Sequence, residues 1–157
     1  MPPKPILPLE KIDLTRAVVD EAVLREQVPQ RDDMAMLDRI VYYDEEEGIC
    51  AGVKSVREDE FWTTGHFPGR PILPGVLMLE AAGQLSTYHY VQVQGNNGIL
   101  GFGSADGLKF RGMVQPPADL LIIGRMEYCK QRSARFHAQG FVGDSMVFEG
   151  NIVGIVL

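Results

Sequence analysis

Two titratable side chains in this 157-residue chain stand in company that suits acid–base chemistry. His66 precedes Phe67-Pro68, and Glu80 is alone in the apolar run Val76-Leu77-Met78-Leu79-Glu80-Ala81-Ala82. An imidazole titrating near pH 6.5 takes or gives a proton close to neutrality. A carboxylate among apolar neighbours is pushed toward its neutral, proton-donating form. Gln84, one helical turn beyond Glu80, falls on the same face and is placed to orient it. Each residue also has a plainer reading, His66 as a satisfied structural histidine and Glu80 as a turn cap or an arginine's partner.

The elements that must position them are marked by backbone chemistry. Proline locks φ and pushes the preceding residue to extended geometry. Phe67-Pro68, Arg70-Pro71 and Leu73-Pro74 therefore make a stiff, extended loop. Gly75 to Tyr90 has no proline and the length of an ordinary helix. Apolar on nearly every side at its start, that helix belongs in a core. A rigid loop feeding a helix N-terminus holds a catalytic group beside a site for negative charge.

Composition bounds the rest. The length suits one domain, and 45% hydrophobic residues with a mean hydropathy of −0.04 describe a soluble, globular chain. No stretch approaches the roughly 18 apolar residues of a membrane span. The start, MPPKPILPLEKIDL, lacks the basic and apolar regions of a secretory signal. Cys50 and Cys129 lack metal-ligand spacing and read as free thiols of a reducing compartment, the cytoplasm, with a single disulfide left open. Residues 1–98 carry nine basic and sixteen acidic side chains, and residues 99–157 carry six and five. A chain of net charge −6 with no basic block is a poor nucleic-acid ligand.

In chain order, residues 1–10 read as a proline-rich, loosely held arm. Asp13 to Gln27 reads as a short helix N-capped by Asp13. Met34–Tyr43 and Ile49–Val56 read as a strand pair around an acidic turn, with Glu45-Glu46-Glu47 solvated. Trp62 reads as core, packed near the site. Ile99–Phe110, with Gly101, Gly103 and Gly107, reads as a strand with close backbone approach or a bulge. Leu120–Cys129, Ser133–Val142 and Met146–Leu157 form an antiparallel meander. His89 and His137 read as structural or exposed. The sum is an α+β domain, a sheet curled around one long helix, whose edge strands need covering or pairing.

The run His66-Phe67-Pro68-Gly69-Arg70-Pro71, then Leu73-Pro74-Gly75-Val76-Leu77, then Glu80-Ala81 and Gln84, closely resembles the signature of the Z-type 3-hydroxyacyl-acyl-carrier-protein dehydratases of type II fatty-acid synthesis. Weaker resemblance runs from about residue 28 to the C-terminus, through Val28-Pro29-Gln30-Arg31, Leu37-Asp38-Arg39-Ile40, Lys109-Phe110-Arg111 and Val114. The related A-type enzymes carry aspartate where this chain has Glu80. The resemblance implies a hotdog fold over residues 28–157, preceded by an arm of residues 1–27 with a short helix. It implies His66 as the base at C2 and Glu80 as the acid for the C3 hydroxyl. Gly75 and Val76 would bind the thioester oxygen, with Gln84 as orienting residue. Phe67, Leu77 and Leu79 beside Val76 would line an acyl tunnel. No metal or cofactor is implied. The implied partner is acidic acyl carrier protein, docked on Arg70, Lys109 and Arg111, with Lys130, Arg132 and Arg135 as further candidates. The implied assembly is a homodimer, open to a trimer of dimers, with histidine and glutamate from different subunits. The chain departs from the pattern at Gln30, Asp32 and Asp33, which make the entrance more acidic, and at Pro116-Pro117-Ala118-Asp119. A hotdog thioesterase and a non-catalytic acyl-binding subunit are the rival classes.

Overall fold

The computed structural model describes residues 1–157. Six strands form one antiparallel sheet: β1 (Arg39–Asp44), β2 (Ile49–Val56), β3 (Leu100–Phe110), β4 (Ala118–Lys130), β5 (Ser133–Val142) and β6 (Ser145–Val156). Their order is β1-β2-β4-β5-β6-β3, so β4, β5 and β6 are a meander while β1 and β3 are the edges. Helix α2 (Gly75–Gln94) lies against one face of this sheet, and the sheet curls around it in the hotdog arrangement. No helix is long and apolar enough to cross a membrane.

Local chemistry explains why α2 runs where it does. Pro74 cannot continue a helix backward and stands at the N-cap, and Gly95, at φ 79°, ends it in a conformation that suits glycine. Ala81, Ala82, Leu85 and Tyr88 press into the main core with Ile122, Phe136 and Phe148. The first turn differs from expectation: Val76 is 71% exposed, and Leu77, Leu79 and Glu80 are only partly covered. Burial of the helix within one chain therefore runs mainly from Ala81 to Tyr90, with Met78 the one buried residue of the first turn.

Close packing on the inner sheet face depends on missing side chains. The Phe136 ring lies over Gly124, and the Phe148 ring lies over Gly140, where an added Cβ would stand 1.9 and 2.2 Å from ring carbons. Edge strand β3 uses the same device, setting Phe102 over Gly83 and Phe110 over Gly75 of α2. Its register shifts at Phe102/Ser104 and at Asp106/Lys109, as the glycine-rich composition leads one to expect.

Three expectations are corrected. The first helix, α1, spans Glu21–Gln27 and is capped by Asp20, whose carboxylate accepts from the Val23 N–H. Asp13 instead accepts from the backbone and hydroxyl of Thr15 in a local turn. The first strand starts at Arg39 because the Met36 and Leu37 amides are taken by the Gln84 side chain. The N-terminal arm is docked rather than loose. Leu7 is buried on the outer sheet face among Val41, Ala51, Val53, Leu121 and Ile123. Buried Gln139 holds the arm's backbone, accepting from the Ile6 N–H at 2.7 Å and donating to the Lys4 carbonyl at 3.1 Å.

Candidate active site

The loop before α2 is a chain of short backbone bonds. Phe67 and Arg70 exchange N–H···O bonds around Pro68-Gly69, with Gly69 at φ 71°, the proline-then-glycine geometry of a type II turn. The His66 N–H donates to the Trp62 carbonyl, and the Ile72 N–H donates to the His66 carbonyl. Leu73 N–H donates to Val114, tying the loop to the segment after β3. Inside this frame the His66 Nδ1 lies 2.7 Å from the Ile72 carbonyl oxygen. A carbonyl only accepts, so Nδ1 carries the hydrogen, and in the neutral ring Nε2 keeps the lone pair.

His66 lines a cleft of about 360 Å³ with Ile72, Gly75, Val76, Phe110 and Met113. The Gly75 and Val76 amides begin α2 and have no carbonyl partner. They stand at the positive end of the helix dipole, a place for developing negative charge. Gly75 is a close-approach position, since a Cβ there would meet the Phe110 ring at 2.8 Å.

Glu80 is built from the other side. Gln84, with none of its surface exposed, accepts from the Met36 and Leu37 amides at 3.0 and 3.2 Å. Its amide nitrogen donates to the Met34 carbonyl at 2.7 Å and to Glu80 Oε1 at 2.9 Å. Gln84 thus has all its main hydrogen-bonding capacity committed, and one of its bonds sets the Glu80 rotamer. Glu80 borders a second, much smaller cavity with Gln30, Ser86 and Phe102. Within one chain the imidazole and the carboxylate therefore open into different cavities.

The remaining expected residues divide. Phe67 is half-exposed and stacked on His66, with ring centroids 4.1 Å apart, instead of lining an enclosed tunnel. Leu77 and Leu79 pack partly against the main core. Trp62 is core. Arg70 and Lys109 are exposed, whereas Arg111 is ion-paired with Glu149. Arg135 is bonded to Asp106 and Glu127, and Lys130 lies over the Tyr128 ring. Of the basic candidates, Arg70, Lys109, Lys130 and Arg132 keep their charge free of an acidic partner. Sequence reasoning missed Ile72 and Met113 at the site. Phe110 carried a signal in its resemblance to the later strand, but nothing in the sequence marked the other two.

A curled sheet on one helix, with this histidine loop at the helix N-terminus, defines the class. The family model of the FabA-like domain matches residues 28–151. The chain belongs to the FabA-like domain family. It is similar to the 3-hydroxyacyl-[acyl-carrier-protein] dehydratase FabZ of Paracidovorax citrulli, 35% identical over 130 residues, covering 80% of this chain and 88% of that one. Among solved structures it is similar to the dehydratase heterocomplex ApeI:P of Xenorhabdus doucetiae, with TM-score 0.68, 12% identity, and 85% and 90% of the two chains covered. It is also similar to zebrafish thioesterase superfamily member 2, with TM-score 0.63, 12% identity, and 87% and 95% covered. The dehydratase complex and the thioesterase superfamily member share this fold, so the fold alone does not choose a reaction.

Proposed function

We propose that the chain is a 3-hydroxyacyl-acyl-carrier-protein dehydratase, removing water from the thioester to leave a trans-2-enoyl product. The observation that carries this reading is His66 with a free Nε2 in one cleft with the unpartnered amides of Gly75 and Val76. Nε2 takes the C2 proton, and the C2–H electron pair forms the new double bond. The C3–O bond breaks and its oxygen leaves as water, protonated by Glu80. The Gly75 amide, with Val76 beside it, stabilises charge growing on the thioester oxygen without reorganising. Gln84 orients Glu80 through its 2.9 Å bond.

The pair is completed by a second copy of the chain. Support comes from the separate cavities of His66 and Glu80 and from β3, an 11-residue edge strand exposed along nearly its whole length. Phe67, Val76, Phe110 and Met113 are large apolar residues left exposed beside that edge. Pairing of β3 with its copy would extend the sheet, cover these residues and remove an edge. Acyl carrier protein is the substrate's carrier, with Arg70, Lys109, Lys130 and Arg132 the cations free of an acidic partner, near or beyond the cleft, that an acidic surface would meet. The cytoplasm is the compartment this substrate implies.

The test is absorbance of enoyl thioesters followed in the hydration direction. Loss of the enoyl band with the wild type, abolished in His66→Ala, is expected. Free thiol released without loss of the band would replace this reading with a thioesterase. A monomer in solution carrying full activity would overturn the shared site.

A further inference from the structure

The inner face of β2 presents Cys50, Gly52, Lys54 and Val56 toward the core. Lys54 is the only charged member, and its side chain is 2% exposed. Its ammonium donates to Glu60 Oε1 at 2.5 Å, and the Glu60 side chain is 7% exposed. The other Glu60 oxygen accepts from the Arg57 N–H at 2.9 Å. Desolvating two charges costs several kcal/mol per ion, and apolar residues of similar shape often serve stability as well or better. Stability alone is thus a poor explanation for a pair buried here.

The backbone shows what the pair fixes. The Glu60 carbonyl accepts from both the Thr63 N–H and its hydroxyl, at 3.1 and 2.8 Å. The Trp62 carbonyl accepts from the N–H groups of Gly65 and His66, at 3.3 and 2.8 Å. Five residues of turn join Glu60 to His66, and this ladder has two side-chain anchors, Glu60 and Trp62. The Trp62 indole is buried with its N–H unpartnered, so it grips by packing and carries no directional bond. The directional anchor is Glu60, held by a lysine on a central strand.

We infer that Lys54 and Glu60 are positioning residues: their ion pair sets the Glu60–His66 turn and so fixes where the His66 imidazole stands in its cleft. The inference rests on His66 being the catalytic base. A misplacement of about 1 Å at a reacting group costs roughly 10²-fold in rate, so a small relaxation of this turn is enough to matter.

The decisive protein is the full chain carrying Lys54→Met with Glu60→Leu, which removes both charges and leaves none unpaired. Its melting temperature should stay near that of the wild type while kcat for enoyl hydration falls about 10- to 100-fold with KM changed less than about threefold. The ¹⁵N signals of His66 should show the Nδ1–H tautomer diluted by the Nε2–H form. A double variant that melts like the wild type, with kcat within about threefold and an unchanged tautomer, overturns the inference. Should that variant fail to fold, Lys54→Met with Glu60→Gln keeps an acceptor for the Arg57 N–H, again leaves no charge unpaired, and carries the same two readouts, with the same outcomes deciding. His66→Ala runs alongside. Turnover above about a tenth of wild type in that variant would sink the reading of His66 as base, whatever the ion-pair variants do.

Discussion

The His66 imidazole donates its Nδ1 hydrogen to the Ile72 carbonyl oxygen, 2.7 Å away, which in the neutral ring leaves Nε2 as the acceptor. That bond selects the tautomer before any substrate arrives. The ¹⁵N spectrum of the resting protein should show His66 protonated at Nδ1. His66→Ala should lower enoyl hydration by about 10²- to 10⁴-fold and leave the melting temperature unchanged.

Gln84→Leu keeps the volume but abandons two buried amides, those of Met36 and Leu37, and the partly buried bond to the Met34 carbonyl. A loss of about 3 kcal/mol or more in urea unfolding is expected, since each such orphan typically costs about 1–3 kcal/mol. Activity per folded molecule should fall as well, because Glu80 loses its rotamer partner.

Gly75→Ala tests close approach at the cleft. The new methyl would stand 2.8 Å from the Phe110 ring, so ring or helix must move. A drop of about tenfold or more in kcat/KM is expected, with partial recovery when Phe110→Leu is added, as coupled neighbours show.

Acid should destabilise the fold through His89. It is 1% exposed between the Tyr43 and Phe136 rings with its Nδ1 unpartnered, and burial lowers its pKa from 6.5 to about 4. The facing Tyr43 phenol stays neutral in this range, since burial raises its pKa. Below pH 6.5 the unfolded chain binds a proton that the folded chain refuses until about pH 4. Stability from this group is thus complete above pH 6.5 and is lost as pH falls toward 4, by about 3 kcal/mol in all. Urea unfolding from pH 7 to 4 should show a shallower decline in His89→Leu than in the wild type.

Removing residues 1–12 should uncover Leu121, Ile123, Val41 and Val53. Burial of one leucine such as Leu7 typically contributes about 1.5–3 kcal/mol, so a lower melting temperature and new binding of a hydrophobic dye are expected. An unchanged melt with no dye binding would count against a structural role for the arm.

Much of this was legible because local chemistry dictated it. Pro74 and Gly75 mark the start of α2, polar turns bound β2 and β5, and the Gln84–Glu80 bond follows from helical spacing alone. What escaped depended on distant partners. Asp13 and Asp20 are both good caps, and only the chain's later path decides between them. Met34–Leu37 alternates like a strand, yet a glutamine 47 and 48 residues away takes its amides. The arm's docking needs Gln139, more than 130 residues on. Glu80 read as enclosed because its sequence neighbours are apolar, but those neighbours point to several sides of a half-covered helix.

The glycines beneath Phe136 and Phe148 act as keyways for strand alignment. The smallest slip of β5 along β4 that keeps apolar residues inward is two places. It would drive the Phe136 ring from above Gly124 onto Ile122 or Met126, residues with full side chains. Misaligned sheets are thereby penalised by collision. One carbon added at Gly124 should harm folding more than a ring trimmed from Phe136.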